Sequence, residues 1–93
     1  MARESVRRYP VPLVEGPLTI DMPEHSDIIA FAYQDGVPWL WVMVDQDMND
    51  APVSLYLARS NSPLPGDADY YHVGTAIPES SNGSEVWHLL QAF

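Results

Sequence analysis

Three histidines are the residues of this sequence best suited to metal binding or proton transfer near neutral pH. They are His25, His72 and His88, and no two of them stand at a metal-ligand spacing along the chain. His72 and His88 could approach each other if the two strands that carry them pair. Because a single histidine on a strand is more often structural or exposed, we expect no metal site and no catalytic histidine.

The sequence patterns that mark common enzyme sites do not occur elsewhere in the chain. No serine stands in a G-x-S-x-G elbow, and no glycine-rich phosphate loop is present. The chain has no cysteine, which excludes thiol catalysis, thiolate metal sites and disulfides. We therefore predict a protein that is not an enzyme and that needs no cofactor.

The acidic segment at residues 45–50 begins with the D-x-D-x-N pattern of a calcium loop. The sixth position of such a loop needs glycine for a sharp bend, and here it is Asp50. The twelfth position needs a bidentate glutamate, and here it is Tyr56. The pattern is therefore more typical of a solvated loop between strands than of a calcium site.

Two tryptophans form the most distinctive pattern, because Trp39 and Trp41 are two residues apart and Met43 continues the row. Side chains at this spacing lie on one face of a strand. The row is either buried in a second layer of the fold or exposed as an aromatic stripe that binds a partner, since Trp and Tyr dominate interface energetics. The binding residues that we predict are the aromatic residues Trp39, Trp41 and Tyr56, with the acids Asp45, Asp47 and Asp50 at the rim.

These residues must be positioned by short strands, because nine prolines and five glycines interrupt the chain and no long stripe has helical spacing. A length of 93 residues allows one domain, which we place at residues 1–93 with residues 1–5 flexible. The runs that read as strands are residues 6–11, 18–22, 28–34, 37–45, 53–58, 70–77 and 85–93. By periodicity alone the last run could also be a short helix. We favour a strand, because a turn at Asn82-Gly83 would pair it with residues 70–77. The sequence thus predicts an all-β fold, a compact antiparallel sandwich or partly open barrel of six to seven short strands.

The central hairpin is the best-defined element, because Asp35-Gly36 separates two apolar runs. Asp-Gly favours a two-residue type I′ turn, whose central residues both need positive φ. In that register Phe31 lies opposite Leu40 and Ile29 opposite Val42. On the other face, the small residues Ala32 and Ala30 lie opposite the two tryptophans.

The charge is strongly negative, at −9, and its distribution is uneven. Residues 1–8 carry three arginines and one glutamate, whereas residues 9–93 carry twelve acids and a single arginine. Such a body repels phosphate backbones, so we expect no direct nucleic-acid binding. The acidic surface either keeps the protein soluble or imitates nucleic acid by occupying a basic groove that is meant for nucleic acid. No apolar run is long enough to span a bilayer, and no signal peptide is expected.

Short blocks along the chain resemble a small family of uncharacterised phage and prophage proteins. The blocks are Tyr9-Pro10, Ile20-Asp21-Met22-Pro23, Gly36-Val37-Pro38-Trp39-Leu40-Trp41 with Val44-Asp45, Val73-Gly74-Thr75 and Val86-Trp87-His88-Leu89. The chain departs from the family pattern at residues 59–63, where a more glycine-rich turn is usual. The resemblance implies a viral or prophage origin and a small accessory β domain, and it assigns no catalytic residue.

The acidic body, the aromatic hairpin and the missing catalytic patterns together predict a non-enzymatic phage or prophage accessory protein. It would bind another protein, of the phage or of the host, in the host cytoplasm. A more specific version makes the partner a host nucleic-acid-binding protein. Two alternatives stay open: a virion or assembly component that uses the same stripe between subunits, and a small-ligand or metal-binding domain. The sequence leaves the oligomeric state open.

Overall fold

The computed structural model describes residues 4–66, 69–78 and 85–92, and every regular element in these ranges is a β-strand. The strands are β1 (Glu4–Pro10), β2 (Gly16–Pro23), β3 (Asp27–Gln34), β4 (Val37–Asp45), β5 (Asp50–Arg59), β6 (Tyr70–Ala76) and β7 (Trp87–Ala92). Of the terminus expected to be flexible, residues 1–3 lie outside these ranges, and Glu4 already belongs to β1. The described residues contain no helix long and apolar enough to cross a membrane.

The seven strands form two antiparallel sheets. Sheet A has the strand order β1-β4-β3, and sheet B has the order β2-β5-β7-β6. The chain crosses from one sheet to the other after β1, after β2 and after β4. It stays in sheet B from β5 onward, so that sheet B holds the last three strands. The predicted all-β fold of six to seven strands is confirmed, as two sheets rather than a closed barrel.

The hydrophobic core lies between the two sheets. Sheet A contributes Leu40 and Val42 from its central strand, and both are 0% exposed. Sheet B contributes Leu57 and Leu89, which are also 0% exposed. Because side chains alternate along a strand, the residues between these positions must project to the outer faces. The positions of the buried residues along each strand therefore decide which of its other side chains reach the surface.

The central hairpin has the turn that its sequence predicts. Asp35 and Gly36 both have positive φ, at 54° and 79°, as a type I′ turn requires. Phe31 pairs with Leu40, and the two alanines pair with the tryptophans as expected. β1 occupies an edge of sheet A, which agrees with the proline in its sequence, since proline cannot donate to a ladder.

One predicted pair of this hairpin is wrong. Val42 pairs with Ile28 rather than with Ile29, because an irregularity between Ile28 and Ala30 inserts an extra residue into β3. A bulge of this kind reverses the face of the residues beyond it. Ile28 consequently packs against the core, and Ile29 is 51% exposed on the outer side.

β6 carries a second irregularity, between His72 and Gly74. Gly74 lies where β6 approaches β3 of the other sheet: a Cβ added there would be 3.0 Å from the Cβ of Phe31 and 3.3 Å from its backbone nitrogen. Only glycine fits this approach without displacing backbone atoms. β6 pairs with β7, which is a strand as predicted; the Asn82-Gly83 turn expected between them lies outside the described residues.

Candidate functional site

The outer side of sheet A is an apolar surface with the two tryptophans at its centre. β4 lies between β1 and β3, and its outward residues alternate with the buried Leu40, Val42 and Val44. We call this surface the tryptophan face. Its apolar members come from all three strands and are Val6, Pro10, Ile29, Ala30, Ala32, Val37, Trp39, Trp41 and Met43.

No further layer covers the tryptophan face within the described ranges. Neither tryptophan belongs to the core, and both are half-buried among their neighbours on the sheet. Of the eight large apolar residues that are exposed in these ranges, four lie on this face: Val6, Ile29, Val37 and Met43. This placement favours an exposed aromatic stripe over a row buried in a second layer, the two possibilities that the sequence leaves open.

Arg8 lies across part of the face. Its guanidinium carbon is 4.1 Å from the centre of the Trp39 ring, a geometry in which the ring quadrupole attracts the cation. In the strand register Arg8 lies opposite Trp41, so the Arg8 side chain must extend diagonally across the sheet to contact Trp39. Trp41 is flanked on the other side by the small Ala30. The arginine therefore adds a positive charge beside the tryptophans, on a mostly apolar face that also carries Asp27 opposite Met43 and Gln34 opposite Val37.

Two of the three predicted acidic residues, Asp45 and Asp47, lie at one end of this face. Asp45 ends β4 and pairs with Glu4 of β1. Its Oδ1 accepts a hydrogen bond from the Asp47 backbone N–H at 3.0 Å, which shapes the turn into the next strand. Asp47 is exposed in that turn, and Asp50 begins β5 in the other sheet. The described residues contain no group of three or more histidine, cysteine, aspartate or glutamate side chains that could hold a metal ion, in this turn or elsewhere.

Tyr56 does not share a surface with the tryptophans. It alternates with the buried Leu55 and Leu57 of β5, so it projects from the outer side of sheet B. There its ring packs edge-on against Tyr70, with the ring centres 5.7 Å apart. The turn after β4 carries the chain to the opposite sheet, and this crossover separates residues that are close in sequence.

The outer side of sheet B carries a second cluster of polar side chains. His88 Nε2 is hydrogen-bonded to Ser60 Oγ at 2.9 Å, and His88 Nδ1 to Thr75 Oγ1 at 3.1 Å. His72 Nε2 reaches the same Thr75 Oγ1 at 2.9 Å. The expected approach of the two histidines is confirmed, since their ring centres are 5.9 Å apart. We call these four residues the histidine cluster.

The irregularity in β6 assembles this cluster. His72 and Thr75 are three residues apart, a spacing that puts side chains on opposite faces of a regular strand. The extra residue between His72 and Gly74 brings both side chains to the outer face. Sequence reasoning anticipated the histidine pair but not Ser60 or Thr75. The isolated glycine within a strand was the available signal, because such glycines often mark bulges.

A segment of chain after β5 forms one wall of the cluster. An open pocket of about 370 Å³ lies here, and among its lining residues are Ser60, Leu64, His72 and His88. Glu15, from the connection between β1 and β2, holds this segment: its Oε2 accepts a hydrogen bond from the Arg59 backbone N–H at 3.2 Å. A hydrogen bond from the Ser62 side chain and this backbone bond lower the pKa of Glu15 below the ordinary value of 4.5.

The lowered pKa of Glu15 predicts how the segment responds to acid. A carboxyl group whose pKa falls on folding stabilises the fold above its unfolded pKa, and the contribution is lost as the pH falls through the folded value. We expect the amide resonance of Arg59 to titrate with a midpoint below 4.5 in an NMR pH series. Ser62→Ala should raise that midpoint, because Ser62 gives the largest contribution. A midpoint at or above 4.5 in the unmodified protein would contradict the contact.

Comparison with known proteins places the whole described fold in one family. Residues 2–92 match the family described as Domain of unknown function (DUF7352). This agrees with the resemblance to an uncharacterised family over nearly the full chain, and it carries no information on a phage origin. No curated protein matches the chain. No solved structure matches it either.

Proposed function

Because this chain belongs to the DUF7352 family, a domain of unknown function, we propose a function from its surface: it is a non-enzymatic module that binds another protein through the tryptophan face. The observation that carries the proposal is the uncovered apolar side of sheet A. Large exposed apolar patches on small proteins are commonly interaction sites, and tryptophan contributes more to interfaces than most residues.

The rigidity of the face supports this use. Trp39 and Trp41 lie on the central strand, which is hydrogen-bonded on both sides. Their positions are fixed by the buried residues that alternate with them, such as Leu40 and Val42 at 0% exposure. A partner therefore meets side chains that project from a backbone already fixed in place, which reduces the entropy lost on binding.

The charge of the protein indicates the chemistry of the partner. Two copies that meet through this face would bring together bodies with a net charge of −9 each, and their repulsion opposes self-association. A different protein, with an apolar centre and basic groups at its rim, complements both the tryptophans and the acids Asp45 and Asp47. Attraction between opposite charges also speeds the encounter, and salt screens it.

The biological setting that we propose is that of a phage or prophage accessory protein in the host cytoplasm. The resemblance of the sequence blocks to phage proteins supports this setting, and the acidic body fits a partner with a basic surface. A host protein that binds nucleic acid would present such a surface. In that case the acidic protein would compete with nucleic acid for it.

Site-specific photocrosslinking tests the proposal. A photoreactive amino acid replaces Met43 on the tryptophan face, and in a matched control it replaces Ser54, which is exposed on the outer side of sheet B. After irradiation in host lysate, we expect a protein joined to the Met43 probe and absent from the Ser54 probe. That protein should also bind the unmodified chain when both are purified.

Two results would overturn the proposal. If both probes capture the same proteins or neither captures any, the tryptophan face is not a specific binding surface. If the Met43 probe joins only to a second copy of the chain, the face is a subunit contact. That outcome would favour the virion or assembly role over binding of a different protein.

A further inference from the structure

We infer that the histidine cluster binds one divalent transition-metal ion, such as Zn²⁺ or Ni²⁺, through His72 and His88. The first observation is that two ring nitrogens on adjacent strands converge on one atom. His72 Nε2 and His88 Nδ1 lie 2.9 and 3.1 Å from Thr75 Oγ1. Both nitrogens are hydrogen-bonded to the same hydroxyl oxygen, so a metal ion bound beside that oxygen would lie within reach of both rings.

The hydrogen bonds of the cluster restrict the tautomers of the two rings. The Thr75 hydroxyl has one hydrogen and can donate it to only one of the two ring nitrogens. Without a metal, the other ring must therefore be the donor in its own bond to the threonine. A bound metal ion accepts one lone pair from each neutral imidazole. With the metal present, neither of the ring nitrogens that face Thr75 carries a hydrogen.

The contact of His88 with Ser60 supports this arrangement. Metal-binding histidines almost always use their second ring nitrogen to donate a hydrogen bond, which fixes the tautomer and the ring orientation. His88 has this pattern, since Nε2 is 2.9 Å from Ser60 Oγ while Nδ1 points toward Thr75. Donation from Nε2 to Ser60 leaves the lone pair on Nδ1.

The donor set selects the class of metal. Imidazole nitrogen binds zinc, nickel and copper, whereas magnesium and calcium prefer oxygen ligands. The chain has no thiolate to offer, and the cluster contributes two imidazoles and the Thr75 hydroxyl. Water or a small ligand in the adjoining pocket completes the coordination. A net charge of −9 raises the local concentration of cations.

The backbone keeps the two rings in place for an ion. β6 and β7 pair directly, with Thr75 opposite His88, so the strand register fixes the spacing of the ligands. The rings are tilted by 57° with their centres 5.9 Å apart. Zinc binds imidazole nitrogen at roughly 2.0–2.1 Å, so both side chains must rotate away from their hydrogen bonds with Thr75 to hold the ion.

Calorimetric titration of the metal-free full chain with ZnCl₂ and with NiCl₂ tests the site, and MgCl₂ is the control salt. We expect saturable binding of one Zn²⁺ or Ni²⁺ per chain and none of Mg²⁺. His72→Gln and His88→Gln should each weaken binding by at least about tenfold, since loss of even an outer-shell contact costs about that much. The matched control is His25→Gln, because His25 is the third histidine and lies outside the cluster.

Circular dichroism shows whether each variant is folded before its titration is compared. The site is overturned if the unmodified chain shows no saturable binding, or if His25→Gln weakens binding as much as the cluster variants do. The proposed protein-binding function is tested separately, because the tryptophan face is on the other sheet. Replacing Trp39 and Trp41 should therefore leave zinc binding unchanged.

Discussion

Replacing Trp39 and Trp41 together by threonine is expected to weaken binding of the partner by about 100-fold or more. Either replacement alone should cost about 2 kcal/mol, which is roughly 30-fold, since central tryptophans often contribute this much to an interface. Threonine keeps the preference for strand conformation. The measurement is the dissociation constant of the partner that the Met43 probe captures, determined with purified proteins.

Tyr56→Thr is the matched control for this prediction. It also removes an aromatic side chain from the middle of a strand, but from the opposite sheet. Its affinity should equal that of the unmodified chain. If the double tryptophan variant is folded and binds as tightly as the unmodified protein, or if Tyr56→Thr loses as much affinity, the tryptophan face is not the binding site.

Gly74→Ala is expected to destabilise the fold by about 1–3 kcal/mol, the usual cost of an extra methyl group in a packed site. The new Cβ would be 3.0 Å from the Cβ of Phe31 and 3.3 Å from its backbone nitrogen. Because part of that contact is backbone, the neighbour cannot move aside by changing a rotamer. In a domain of this size, thermal unfolding should shift downward by about 4–8 °C for each kcal/mol.

Gly66→Ala provides the comparison for this variant. A Cβ at Gly66 would meet nothing within 4 Å, so the substitution should be neutral or slightly stabilising, as it restricts the unfolded chain. Equal melting temperatures for Gly74→Ala and Gly66→Ala would contradict the close approach of β6 to β3.

The hairpin could be predicted from the sequence because its information is local. Asp35-Gly36 selects the turn, the turn sets the register, and alternation then assigns Phe31 to the core and the tryptophans to the other side. The bulge at Ile29 could not be predicted in this way. Two consecutive isoleucines are equally suited to either face, and the choice between them depends on packing against the other sheet.

Whether the tryptophans are exposed depends on how the strands are arranged in sheets, and the alternation of residue types does not reveal it. Alternation shows that Trp39 and Trp41 share a face, but not whether another layer covers it. The sequence also predicts Tyr56 as an aromatic binding residue. The crossover between β4 and β5 places it on the opposite sheet, and nothing in residues 46–49 specifies the sheet that the next strand joins.

The histidine cluster was partly accessible to sequence reasoning. Pairing of the last two strands predicted that His72 and His88 approach each other. Thr75 joined them through a bulge, and Ser60 through a loop that is held by Glu15 from a distant part of the chain. Long-range contacts of this kind have no signature in a single sequence.

Quenching of tryptophan fluorescence by acrylamide tests most directly whether the tryptophan face is open to a partner. Trp87→Phe leaves Trp39 and Trp41 as the emitters, whereas the double variant Trp39→Phe with Trp41→Phe leaves only Trp87, which is 5% exposed. Strong quenching of the first protein and weak quenching of the second is the predicted result. Equal protection of both would mean that the tryptophans of β4 are covered, and the proposed binding surface would not exist.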